Sequence, residues 1–435
     1  MKKILCAVVM AAITGQLFAQ TDRQYTTVSP YSQFGLGIPL DQSQGYYKGM
    51  NGVGIAFREH NMVNTLNPAS YSAIDSLTFI FDAGVSGQLT RFEENAKKKN
   101  AKSAAFDYVV AGFRAFRHVG VSFGLLPYSN VGYNYSNTEN VGDLSTTYTT
   151  ANYGSGGLHQ AYLGIGWQPF KGFSLGVNGG YLWGNIEKAV TMNYSDASIN
   201  SLSKNYTINI SNYTLNFGAQ FSANVTKNDN VTLGLTYGLG HKLSEDMSCN
   251  VISVNSQTSV MDTAKVNGDN MLKIPHTFGA GVAWNHRNQL KVGFDFTLQK
   301  WADVGYPELQ TSGNNSQFVL NNQYFLDRKK FNFGLDYCMD EKGTKKKYLK
   351  MIHYRLGVSY ATPYLNIAGK DGPKEISVSA GFGIPIINVW NNRSILNISA
   401  QWVRNAADNM LTENTFRINI GITFNERWFM KWKVN

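Results

Sequence analysis

The chain has 435 residues and a net charge of +10, but only 16% of its residues are charged, whereas 13% are aromatic and 42 are glycine. Globular domains average about 25% charged residues, and disordered segments lack aromatic residues. Collagen is excluded because glycine has no fixed period and there are only 10 prolines. After residue 20 no stretch approaches the ~18 apolar residues of a membrane helix. The composition therefore predicts a large all-β protein.

The first nineteen residues predict a secretory signal peptide. Lys2 and Lys3 precede a short apolar run at 4–13, and Leu-Phe-Ala at 17–19 resembles a cleavage site. Cys6 lies inside the apolar run rather than after it, so we expect no lipid anchor. Removal of residues 1–19 leaves Cys249 and Cys338, and whether these two pair stays open at this point.

Alternation with a period of two is the strongest signal after residue 76. For example, Leu77, Phe79 and Phe81 fall on one face, while Thr78 and Asp82 fall on the other. One face is apolar in nearly every such segment, and the other carries small uncharged residues, as in the water-filled interior of a membrane barrel. We count fourteen segments, at 76–90, 104–116, 118–130, 157–169, 172–189, 206–226, 230–243, 273–286, 289–303, 329–339, 349–362, 374–388, 394–405 and 413–426.

The connections between these segments alternate between short and long. Tight turns are expected at 117–118, 171–172, 228–229, 287–288 and 391–392, and 340–348 is a lengthened turn. The long links are 91–103, 131–156, 190–205, 244–272, 304–328, 363–373 and 406–412. Outer-membrane barrels have short periplasmic turns, long external loops and an even number of strands. Residues 76–435 therefore predict a 14-stranded antiparallel transmembrane β-barrel in the outer membrane of a Gram-negative cell.

Tryptophan positions support the same prediction, because barrels carry aromatic girdles at both membrane interfaces. The short-turn ends or the C-terminus hold Trp167, Trp284, Trp390, Trp428 and Trp432, and the long-loop ends hold Trp183, Trp301 and Trp402.

Residues 20–75 do not alternate, and they mix six glycines with apolar residues. Such a segment is too apolar for a tail in water, and a fourteen-stranded barrel is wider than the ~8-stranded kind that side chains alone can fill. We therefore expect residues 20–75 to fold into the lumen as a plug, or hatch. The segment ends near Asn67-Pro68-Ala69, where proline and asparagine favour a turn.

These features together resemble the FadL family of outer-membrane transporters for long-chain fatty acids and other hydrophobic compounds. The resemblance rests on the signal peptide, the glycine-rich segment, Asn67-Pro68-Ala69 and the fourteen strands, and residues 29–37 and 425–429 look like members from Bacteroidota. It implies a hatch, a ligand pocket in the lumen and lateral release through a kink in the third strand. Pro127 is the candidate for that kink, and a simple strand terminus is the alternative. No ligand-binding residue can be carried over by motif.

Several motifs resemble hydrolase, metal-binding or phosphate-binding sites, but their positions in the sequence do not support those functions. The Gly-x-Ser-x-Gly matches at 120–124 and 172–176 lie within alternating segments, whereas a hydrolase needs a strand-to-helix turn. The seven histidines lack the spacing of metal ligands, and Gly49-Met-Asn-Gly52-Val-Gly54 lacks the Lys-Ser/Thr of a phosphate loop. We therefore expect no enzyme activity, metal or cofactor.

Two lysine clusters bear on partners. Lys97, Lys98, Lys99 and Lys102 predict either a lipopolysaccharide contact or a solvated external loop. The cluster at 345–347 would lie on the periplasmic side and is a second candidate for docking. Nucleic-acid binding is not indicated, because the clusters are isolated.

Two functions follow from the sequence. The first is passive uptake of a hydrophobic small molecule, such as a long-chain fatty acid, by a channel surrounded by outer-membrane lipid and lipopolysaccharide. The alternative is a non-transporting barrel subunit of an outer-membrane protein machine, similar to PorV-like secretion or assembly partners. Such a subunit would bind protein through loops such as 244–272 and 304–328.

Overall fold

A computed structural model describes residues 28–94, 97–142, 146–312, 315–340, 347–387 and 393–426. The predicted signal peptide, Trp390, Trp428, Trp432, Lys345 and Lys346 lie outside these residues. No helix among the described residues is long and apolar enough to span a membrane.

Fourteen antiparallel strands form a closed barrel, which confirms the predicted fold class. Each strand pairs with its neighbours in the chain, and the last strand pairs with the first. Closure satisfies the backbone hydrogen bonds that lipid cannot. The strands are β1 (Phe79–Glu94), β2 (Lys97–Phe116), β3 (Val119–Asn140), β4 (Thr147–Phe170), β5 (Phe173–Tyr194), β6 (Ser201–Asn224), β7 (Asp229–Gly238), β8 (Thr277–His286), β9 (Leu290–Gln299), β10 (Arg328–Tyr337), β11 (His353–Ala361), β12 (Lys374–Ile387), β13 (Arg393–Ala406) and β14 (Thr412–Glu426).

The two faces of the strands separate as the alternation predicts. Val85 and Leu233 are each 53% exposed on the outer face, while their neighbours Ser86 and Thr232 are only 9% and 5% exposed on the inner face. Apolar side chains on the outside and small polar ones on the inside are the pattern of a barrel in lipid. The chain is an outer-membrane protein.

The long links are more regular than the sequence predicts. The β3–β4 ladder continues to Asn140↔Thr147, so most of the predicted loop 131–156 is strand. Two further hairpins stand above the barrel, Glu245–Val254 with Met261–Asp269 and Tyr306–Ser312 with Asn315–Asn321. We call them the first and second outer hairpins. Alternation is weak here because neither face meets lipid.

Two apolar clusters support this outer region. One lies under β3–β6 and the first outer hairpin and includes Leu158, Leu182, Ile186, Ile208 and Met247. The other contains Trp301, Val304, Phe325 and Leu365. Trp301 is only 5% exposed and packs on Phe325 with ring centroids 5.1 Å apart, so its expected girdle position is wrong. Trp167, Trp284 and Trp402 are exposed on the outer face.

Cys249 and Cys338 are both free and buried. Cys249 lies in the first outer hairpin, and Cys338 directly follows β10 at a short-turn end. They therefore lie at opposite ends of the barrel and do not form a disulfide with each other.

Residues 28–75, which we call the inner segment, hydrogen-bond to strands on several sides of the barrel. Gly45 N donates to Tyr108 Oη of β2 at 2.8 Å, and Asn51 Nδ2 donates to the Ser377 carbonyl of β12 at 2.9 Å. Gly54 N donates to Asp295 of β9 at 2.7 Å. These contacts support the expectation that this segment folds into the lumen. Its regular parts are short: Pro30–Gln33, Ile38–Pro39, Gly45–Lys48 and Pro68–Ala73.

Glycines on the inner face of the wall leave room for this segment. A Cβ added to Gly120 or Gly176 would come within 3.0 Å of the backbone of Tyr71 or Pro68, closer than real Cβ atoms approach. The same holds for Gly357 against Met50. The inner face of the strands therefore accommodates the backbone of the inner segment as well as water.

We expect Gly176→Val to destabilise the protein, because overpacking of a filled interior costs about 1–3 kcal/mol. Gly87→Val is the matched control, since a Cβ at Gly87 meets nothing within 4 Å. The measurement is the temperature at which each barrel loses its compact electrophoretic mobility. Equal transition temperatures for the two variants would show that the segment does not press on the wall.

Candidate functional site

Asn67-Pro68-Ala69 begins a short 3-10 helix, Pro68–Ala73. Asn67 caps this helix, since its Oδ1 accepts a hydrogen bond from Ala69 N at 3.1 Å, and Pro68 supplies a fixed φ in the first turn. The Asn67 Nδ2 donates to the Ile55 carbonyl at 2.8 Å. The motif therefore joins two parts of the inner segment.

The same motif is pressed against the barrel wall. Asn67 and Ala69 are completely buried, and a Cβ on Gly218 of β6 would lie within 3.0 Å of Asn67 Oδ1. A Cβ on Gly166 of β4 would likewise meet the Pro68 carbonyl oxygen. The motif thus anchors the inner segment, and its role as a moving hatch stays a prediction.

Buried charges hold a neighbouring part of the inner segment. Asp295 accepts hydrogen bonds from Gly54 N and Ile55 N at 2.7 and 2.9 Å. Lys291 on the same strand forms an ion pair with Glu59 at 2.8 Å, and both side chains are less than a tenth exposed. A buried charge is tolerated only when it is paired or hydrogen-bonded, so these contacts fix the segment to β9.

A second buried network centres on Asp336 of β10. Arg355 Nε donates to Asp336 at 3.1 Å, and Tyr46 Oη of the inner segment donates to the same carboxylate at 3.0 Å. His353 Nδ1 lies 3.0 Å from it. The Arg355 guanidinium also stacks 4.2 Å from the centre of the Tyr46 ring. The network joins the helix Gly45–Lys48 to β10 and β11.

A cavity of about 440 Å³ lies on the outer side of this packing, among the inner segment, β1–β4, β10 and β12–β14. Its wall carries charges of both signs. Lys48 pairs with Asp107 at 3.4 Å, and Arg328 pairs with Glu375 at 3.0 Å. Arg417 donates to Gln88 Oε1 at 2.9 Å. The remaining charged residues of the lining are Asp41, Lys330 and Glu413.

Asp41 stays ionised in this cavity. Burial raises the pKa of a carboxyl, but the positive charges of Lys48 and Lys330 and hydrogen bonds from Ser43 outweigh burial, so the pKa of Asp41 lies below its ordinary value. The cavity is thus a polar site that holds charges of both signs.

Pro127 lies where the wall becomes irregular. The β3–β4 register shifts between Pro127 and Ser129, and β3 continues to Asn140, so Pro127 does not end the strand. The β2–β3 ladder stops at Val109↔Leu125. Beyond that point β3 pairs instead with Ile38–Pro39 of the inner segment. A role of Pro127 in lateral release remains a prediction.

The serines of the two hydrolase-like motifs have structural partners. Ser122 donates to the Ala111 carbonyl at 2.9 Å and lies 2.7 Å from Tyr162 Oη. Ser174 accepts a hydrogen bond from Arg58. Neither serine lies at a strand-to-helix turn. In the described part of the chain, no three His, Cys, Asp or Glu residues are grouped to hold a metal.

A family model, BamG, matches residues 1–435. The chain belongs to the BamG family. No curated protein matches the chain. Solved structures similar to this BamG-family barrel include the toluene transporter TbuX of Ralstonia pickettii, at 13% identity with a TM-score of 0.60 over 88% of this chain and 98% of the other.

Two further solved structures have the same architecture. The toluene transporter TodX of Pseudomonas putida is 15% identical, with a TM-score of 0.58 over 90% of this chain and 99% of the other. A FadL homologue of Pseudomonas aeruginosa is 12% identical, with a TM-score of 0.58 over 88% and 98%. At these identities the likeness shows a shared FadL-like fold.

Sequence reasoning missed the buried charges that hold this BamG-family barrel to its inner segment. Asp295, Asp336 and Arg355 lie on inner faces that also carry several small neutral residues. Each shares its face with another ionisable residue, namely Lys291, Lys330 and His353 respectively. Charges in such a pattern are a usable signal. Their partners, however, come from distant parts of the chain and are visible only after folding.

We expect Arg355→Met to lower the thermal stability strongly, because losing one member of a buried ion pair costs about 3–5 kcal/mol. Arg404→Met is the control, since Arg404 is exposed on β13. The double variant Asp336→Asn/Arg355→Met should recover part of the loss. Thermal unfolding followed by circular dichroism measures all three, and equal midpoints for Arg355→Met and Arg404→Met would contradict the buried pair.

Proposed function

We propose that this BamG-family chain is a lumen-closed barrel subunit of an outer-membrane protein machine that secretes or assembles other proteins. The observation that carries the proposal is the close contact of the inner segment with several strands of the barrel wall. Its backbone lies against wall glycines of β3, β5 and β11, and hydrogen bonds and ion pairs hold it to β9 and β10. A plug held on so many sides suits a barrel that supports other proteins.

The chemistry of the cavity also supports this role. Each CH₂ that a ligand buries contributes about 0.8 kcal/mol, but an apolar ligand also removes water from the charged groups that it covers. Lys48, Asp107, Arg328 and Glu375 all line the cavity and would lose hydration. The site is therefore poorly suited to a hydrocarbon.

The outer hairpins provide a surface for proteins. The first outer hairpin extends the barrel sheet, because Glu245–Val254 pairs with residues 201–210 of β6. At its tip Val260 and Met261 are each 65% exposed, and Leu320 of the second outer hairpin is 41% exposed. Val260 and Met261 are adjacent, and contiguous exposed apolar residues mark protein contact sites.

Passive uptake of a hydrophobic small molecule is the second candidate. The break between β2 and β3 beside the cavity favours it, as does the likeness of the fold to channels described as toluene transporters. In this version a ligand such as a fatty acid enters past the outer loops. It then leaves when the hatch around Asn67-Pro68-Ala69 shifts, or sideways past Pro127.

Gentle detergent extraction of the tagged full chain from outer membranes separates the two candidates. We expect other outer-membrane proteins to co-migrate with the barrel in fixed ratio, and a deletion strain to take up radiolabelled oleate normally. A barrel that runs alone, together with a loss of oleate uptake in the deletion strain, would contradict the machine role and support the channel.

Locking the inner segment gives a second test. Pro39 of the inner segment lies directly opposite Ser129 of β3 in an antiparallel pair, so Pro39→Cys/Ser129→Cys brings two thiols together, in a background with Cys249→Ser and Cys338→Ser. We expect the oxidised barrel to support normal outer-membrane protein levels, because the machine role needs no hatch movement. The same variant kept reduced is the control. A defect that appears only on oxidation would instead indicate a moving hatch.

A further inference from the structure

One long strand edge of the barrel is left without a partner. β2 pairs with β1 along most of its length, from Lys97 to Phe113, but its ladder with β3 covers only Val109–Phe116. Among the described residues, no strand pairs with the other edge of residues 97–108. We call this stretch the open edge.

The edge of β3 that faces the open edge does have a partner. Leu40 N donates to the Tyr128 carbonyl of β3 at 3.0 Å, and Val28 N donates to the Gly132 carbonyl at 2.8 Å. Ile38 lies in register with Asn130. The inner segment thus covers the edge of β3 from within the barrel, while the edge of β2 stays open.

The open edge is long enough to hold a complete strand. Twelve residues at about 3.4 Å each span roughly 40 Å, whereas strands in globular proteins usually have about 5–6 residues. An unpaired edge presents a row of free N–H and C=O groups, which is a template for another strand. Its lower part, residues 103–107, faces the cavity, and Ser103, Ala104 and Ala105 leave space there.

The charge of the open edge indicates what kind of strand fits. Lys97, Lys98, Lys99 and Lys102 all lie in its outer half and are exposed. Lys98 pairs with Glu93 at 3.3 Å. Within the described part of the chain, the other three lysines form no ion pair. Unpaired lysines on both faces of one strand repel a basic partner strand and attract an acidic one.

We propose that the open edge of β2 receives an extended acidic segment of a partner protein as an added β-strand. Backbone hydrogen bonds to residues 97–108 supply the pairing, and the lysines select the acidic sequence. This inference rests on the proposed machine role and names the kind of partner segment at one place on the barrel.

Hydrogen–deuterium exchange on the assembly extracted from membranes tests the inference. Pairing should slow exchange of alternate amides within 97–108 by roughly tenfold or more relative to the barrel stripped of its partners, because bonded amides exchange only after local opening. Unchanged exchange in an assembly that still co-purifies would overturn the added strand but leave the machine role standing. A barrel that extracts alone overturns both. Equal protection of the stripped barrel by purified lipopolysaccharide would assign the lysines to lipid instead.

Charge reversal separates the lysines from general electrostatics. Lys99→Glu/Lys102→Glu should reduce the co-purified partner at least several-fold and abolish the protection. Lys171→Glu/Lys227→Glu is the matched control, since it makes the same change in net charge on exposed residues of the short turns. Equal partner yields from the two variants would show that the open edge does not select an acidic segment. Both variants change exposed side chains, so we expect both barrels to fold. Electrophoretic mobility verifies this.

Discussion

The rest of this structure depends on the contact between the backbone of the inner segment and the glycines of the barrel wall. A fourteen-stranded barrel is too wide for its own side chains to fill, so the lumen must hold water or another part of the chain. Here the wall lacks side chains at positions such as Gly120, Gly176 and Gly357, and the segment lies directly against it. This close approach fixes where the segment runs, and therefore where the cavity and the buried charges can be.

Buried charges add a second set of contacts between the barrel wall and the inner segment. The carboxylates of Asp295 and Asp336 bind backbone and side-chain donors of the inner segment, and Lys291 pairs with Glu59 from it. Each of these groups is expensive to bury alone, so wall and segment stabilise each other. The same arrangement leaves a polar cavity and a break in the wall between β2 and β3. A shared fold with hydrocarbon channels is thus compatible with a different use of the lumen.

The sequence predicted the barrel better than the region above it. In the membrane, one face of each strand meets lipid and the other meets polar surroundings, so alternation is strong and fourteen strands could be counted. Above the membrane that difference disappears. The links predicted at 131–156 and 244–272 are largely strand, and Trp301 lies in an apolar cluster rather than at the interface. The free state of the two cysteines likewise follows only from the tertiary structure, because spacing alone does not place Cys249 and Cys338 at opposite ends.

The sequence by itself determined the class of protein, the number of strands and the outward face, because lipid demands apolar alternation and closure. It also indicated that residues before the barrel enter the lumen. Only the tertiary structure decided how closely the inner segment lies against the wall, which charges hold it, and that part of β3 pairs with the inner segment instead of β2. Those features depend on residues hundreds of positions apart, such as Gly54 and Asp295, whose proximity no local pattern records. The glycine-rich, weakly charged composition thus reflects two contacts, one with lipid and one with the chain's own backbone.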